Sequence, residues 1–126
     1  MASLDWNVLV TPLFLGVIMF LDEWENATAE DIFDEFGVLK EERKGVEILF
    51  AWYNCPPYEG NAYVLFRKGD KLYDVVGGHC SCFGLEGQWE PDETTIEALR
   101  LRCNKGKVGY GYEPDLAKLL DELEDK

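Results

Sequence analysis

The sequence predicts an α+β domain in which a three-stranded, at most four-stranded, antiparallel sheet carries three to four helices. Three observations predict it. Runs of alternating apolar residues follow one another in mid-chain, at Val46–Tyr53, Ala62–Lys68 and Lys71–Val76. Amphipathic stretches with helix-start residues flank them on both sides. A length of 126 residues suits one hydrophobic core. The chain therefore reads as a single domain, 1–126. It divides into an apolar and acidic helical region over about 1–44, a sheet with a His/Cys loop and helix over 45–103, and a C-terminal helix over 112–126.

The chain opens on an apolar run from Leu4 to Phe20, divided by Pro12. A helix starting near Thr11 with Pro12 in its first turn fits the second part. Trp6–Val10 is a candidate fourth strand. So continuous a run does not distinguish helix from buried strand by periodicity. It is too short and too interrupted for a membrane span. An acidic block follows from Asp22 to Glu42. Within it Thr28 and Asp31 form a helix start, Ile32, Phe33 and Phe36 an apolar stripe, and Gly37 a stop. Lys40–Lys44 reads as a polar linker.

In the first strand Val46, Ile48, Phe50 and Trp52 alternate onto one face. Two prolines in Asn54–Gly60 exclude that stretch from a ladder. Gly69-Asp70 between the second and third runs is a hairpin turn signature. Downstream, Thr94 and Glu97 form a capping box ahead of a helix over Thr95–Cys103. Pro114 opens the last helix, whose stripe is Leu116, Leu119, Leu120 and Leu123.

The net charge of −13 and the pI near 4.3 exclude direct nucleic-acid binding as the leading reading, because phosphate contacts need Lys and Arg. They disfavour anionic membranes and favour a protein partner with a basic surface. The first residues carry Asp5 and no cation, so no secretory n-region is visible and a cytoplasmic location is expected. Cysteines are then expected to be reduced.

The stretch Val75–Glu93 concentrates unusual residues: the only histidine, two of the four cysteines, Gly77-Gly78, and Trp89. His79, Cys80 and Cys82 are ligand types for zinc, with Cys55 the better-placed fourth because the ends of the first and third strands share a side of the sheet. The alternative is that these thiols are small core residues. A Cys–His dyad is not indicated, since neighbours on an extended chain point to opposite faces. Walker, dinucleotide and His-Glu-x-x-His motifs are absent. No catalytic residue and no enzymatic activity are therefore expected. Aromatic residues in Gly/Pro-rich loops, Trp89 and Tyr58 foremost, are candidate partner anchors. The acids Asp34, Glu35, Asp121 and Glu122 on the two acidic helices are candidate steering charges.

The segment Gly78-His-Cys-Ser-Cys-x-Gly-Leu-Glu-x-Gln-Trp89 resembles one found in small acidic proteins of tailed bacteriophages, and the similarity covers roughly 58–101. The resemblance carries over no catalytic residue. It implies a viral origin, a bacterial cytoplasm and a protein that binds and inhibits or redirects a host protein, such as a nucleic-acid-binding or defence complex. The alternatives are a zinc-supported small enzyme or regulator built on His79, Cys80 and Cys82, and a virion structural component.

Overall fold

The computed structural model describes residues 18–54, 59–80, 84–104 and 112–125, with the side chains of Glu59, His79, Cys80, Asn104 and Asp125 left aside. The expected strand Trp6–Val10 and the helix start at Thr11-Pro12 lie outside the described residues.

Five strands form one mixed sheet in sequential order: β1 (Met19–Asp22), β2 (Val46–Asn54), β3 (Glu59–Lys68), β4 (Lys71–Cys80) and β5 (Asp92–Thr94). The α+β class is as expected, but the all-antiparallel sheet of three or four strands is corrected. Met19–Asp22, at the end of the apolar run, pairs in parallel with Phe50–Tyr53. A parallel neighbour needs a crossover. Here the crossover carries α1 (Ala29–Phe36) and a single turn, α2 (Lys40–Arg43), where a linker is expected. The fifth strand is only three residues long and pairs with Leu72–Asp74. Such a short edge carries no alternation to read.

The central meander is as predicted, and its strands run further. β4 continues through Gly77 and Gly78 to Cys80, so the glycine pair does not turn the chain. The alternation in β2 breaks once. Ile48 stands opposite Phe66 and Phe50 opposite Leu65, leaving Leu49 as a bulge. Val46 and Ile48 therefore face one side of the sheet, and Phe50 and Trp52 the other. The bulge explains why the single-face reading of β2 does not hold.

Both faces of the sheet are buried. The first packs Ile48, Val64, Phe66 and Val75 under Ile32, Phe33 and Phe36 of α1, with Trp24 and Leu85 from loops. The second packs Phe50, Trp52, Tyr63 and Leu65 under α3 (Ile96–Asn104) and α4 (Glu113–Asp125), through Leu99, Leu116, Leu119 and Leu120. The stripe of α4 is buried as its spacing predicts. The cap of α3 moves by one residue: Thr95 Oγ1 accepts from the Ala98 amide at 3.1 Å, while Thr94 ends β5.

Candidate functional site

The first face is built from α1, α2 and the segment after β4. Helix α1 starts on a reciprocal cap: the Asp31 amide donates to Thr28 Oγ1 at 3.2 Å, and the Thr28 amide donates to Asp31 Oδ2 at 2.9 Å. It stops at Gly37, whose φ of +71° suits glycine best. Arg43 then ties α2 back to α1. Its guanidinium donates to Glu30 at 2.6 Å, to Asp34 at 2.9 Å and to the Val38 carbonyl, and lies 5.3 Å from the centre of the Phe33 ring.

Gln88 holds the segment Gly84–Pro91 on the sheet. Its Oε1 accepts from the Gly78 amide at 2.8 Å, and its Nε2 donates to the carbonyls of Gly78 and Gly84. The side chain thus behaves as a short stretch of strand against β4. Close approach at Gly77 completes the fit, because a Cβ there would stand 3.0 Å from Leu85 and 3.2 Å from Phe36. Leu85 is fully buried as a result. Trp89 then lies parallel to Phe66, with 5.4 Å between centroids and 12° between planes, and meets Phe33 and Phe36 edge-on.

Two depressions open on this face. Asp31, Asp34, Glu35, Gly84, Leu85 and Glu86 line one of about 580 Å³. Among the described residues no Lys or Arg belongs to its lining, and no side chain pairs with Glu35 or Glu86. Asp34 is tempered by Arg43. The other, about 430 Å³, has Val46, Phe66, Tyr73, Trp89 and Pro91 for floor and walls, with Glu41, Glu42 and Lys68 at its margin. The whole stretch Gly84–Glu93 carries Glu86, Glu90, Asp92 and Glu93 and no cation.

The sequence-derived candidates are distributed rather than gathered. Asp34 and Glu35 lie on α1 above the first face, whereas Asp121 and Glu122 lie on α4 above the second. Asp121 pairs with Arg100 at 2.6 Å, and Glu122 is half-buried. These four acids do not form one patch. Trp89 is a half-buried wall of the ring-lined groove rather than a protruding anchor. Tyr58, Cys55 and Cys82 lie outside the described residues, as do the side chains of His79 and Cys80. The backbone places Asn54 and Gly78 opposite the same residue, Asn61, so the residues just ahead of Cys55 and of His79 stand at one level of the sheet. Among the described residues no group of three or more His, Cys, Asp or Glu is arranged to hold a metal.

The second face also holds a polar cluster that residue patterns do not announce. Asp74, 7% exposed in β4, accepts from the Tyr63 hydroxyl at 3.0 Å and from Arg102 of α3 at 3.0 Å. Tyr63 stacks on Tyr112 at 5.1 Å. Burial first, then the Asp74 charge, pushes the Tyr63 phenol well above its usual range. Burial does the same for Tyr112, against the opposing pull of Arg102. Both phenols remain protonated at neutral pH, which suits a structural network better than acid–base chemistry. The only forewarning in sequence is an acid at a mid-strand position, Asp74.

No protein-family model, curated protein or solved structure matches this chain.

Proposed function

We propose that this is a non-enzymatic binding protein that engages the basic surface of a protein partner through the first face of its sheet. The observation that carries the reading is the acid-lined depression formed by Asp31, Asp34, Glu35 and Glu86, which no Lys or Arg among the described residues lines. Carboxylates held on a helix and a pinned segment present a fixed negative surface, which steers a cationic partner and sets its register. The likeness of Gly78–Trp89 to tailed-phage proteins supports a bacterial host protein as that partner, inhibited or redirected by being covered. An acidic partner surface competes for the cationic groove of a nucleic-acid-binding protein by the same electrostatics.

Capture from nuclease-treated bacterial lysate tests this. The wild type is compared with E35Q/E86Q on the first face and D121N/E122Q on the second. One protein retained at stoichiometric level, released by salt and by the first pair but not by the second, is the expected result. Retention unaffected by E35Q/E86Q would remove the acid-lined depression, and with it the observation that carries this reading.

A further inference from the structure

We infer that the groove between Trp89 and α2 takes an arginine side chain from a basic segment of the partner. The inference rests on the binding reading above and names the anchor that reading lacks.

The groove is a gap in the helical cover of the first face. Phe66 forms its buried floor, Tyr73 stacks on Phe66 at 5.3 Å, and Trp89 stacks on it at 5.4 Å. Val46 and Pro91 complete the apolar walls. Glu41 and Glu42, both exposed, stand at the margin, and among the described residues no side chain pairs with either. A groove that puts apolar walls and two carboxylates in one lining suits an amphipathic cation, whose methylenes cover the walls while its head meets the acids.

Arginine fits better than lysine. Its guanidinium is flat, weakly hydrated and able to bind two carboxylates along its fork, and it stacks on ring faces. The same face already holds an arginine in this manner: Arg43 sits at the Phe33 ring and bonds Glu30 and Asp34. Among the described residues Lys68 is the one cation that lines the groove. Its stem passes Gly45, in the turn between α2 and β2. It opposes a second cation in the groove, and removing it tightens binding.

Nuclear magnetic resonance titration of the full chain tests this with blocked penta-arginine, penta-lysine and penta-citrulline peptides. The expected result is saturable shifts at Val46, Tyr73 and the Trp89 indole with penta-arginine, weaker binding of penta-lysine, and none of penta-citrulline. E41Q/E42Q, confirmed folded by its own spectrum, weakens penta-arginine about tenfold, and K68M strengthens it. Shifts confined to Asp31, Glu35 and Glu86 overturn the groove assignment while leaving the acidic-face reading standing. So does full affinity of E41Q/E42Q for the captured partner. Contacts from the apolar run before Met19 to Trp89 in the free protein also overturn it, because the chain itself would then fill the groove. Groove binding without any captured partner separates the other way and removes the function while keeping the site.

Discussion

The Tyr63 hydroxyl and the Arg102 guanidinium meet at one atom, Asp74 Oδ2, each at 3.0 Å. The carboxylate is almost wholly buried, while Arg102 is 39% exposed. Removing the arginine leaves, among the described residues, a buried charge with one neutral donor. R102M is expected to lose about 1–3 kcal/mol, discounted from a fully buried pair because Arg102 keeps water contact. Y63F removes one hydrogen bond and costs about 1 kcal/mol. Urea unfolding of both variants and the double variant measures the coupling, and a zero interaction energy would contradict a shared network.

Tyr63 and Tyr112 both hold their protons more tightly in the fold, chiefly because they are buried. The unfolded phenols ionise near pH ~10. Above that pH the unfolded chain has released protons that the native chain retains, so native stability falls with rising pH. Cys103, also pushed up by burial first and then by Glu113, adds a smaller loss beginning near pH ~8.5. The stabilising contributions are complete below these pH values. Ultraviolet titration is expected to show Tyr63 and Tyr112 ionising only as the protein unfolds. Ionisation of either in the native baseline would contradict their placement.

Adjacent glycines in β4 give a matched pair. A methyl at Gly77 meets Leu85 and Phe36, whereas one at Gly78 meets nothing within 4 Å. G77A is expected to cost about 1–3 kcal/mol by overpacking, with G78A much milder. Q88A strips the Gly78 amide and two carbonyls of their side-chain partner and is expected to cost about 1–3 kcal/mol. Thermal unfolding ranks the three. Equal effects at Gly77 and Gly78 would contradict the docking of Leu85 on the sheet.

The cap of α1 is the most local test. T28A is expected to cost about 1 kcal/mol, since it breaks the bond to the Asp31 amide. Calorimetry checks the value, and an unchanged midpoint would show that α1 is held by packing alone.

Much of this fold is legible residue by residue. Thr28, Asp31 and Gly37 bracket α1 because caps and stops are local chemistry. The Gly69-Asp70 hairpin and the Leu116–Leu123 stripe are legible for the same reason. What escapes is set by contacts distant in sequence. Leu49 becomes a bulge only through its partner strand. Met19–Asp22 becomes a parallel strand only because Phe50–Tyr53 offers an edge. Asp74 finds Arg102 across 28 residues. The candidate acids Asp34, Glu35, Asp121 and Glu122 share a helical periodicity but not a face, because the sheet separates α1 from α4. Glu86 joins Glu35 only through the docking of Gln88 and Leu85.

A basic partner is proposed to cover the first face. Zero-length cross-linking couples carboxylates directly to partner amines, and mass spectrometry then places each link. Links from partner lysines to Glu35, Glu86, Glu41 or Glu42, with none to Asp121 or Glu122, are the predicted result. Links confined to α4 would contradict the account and move the binding surface to the opposite side of the sheet.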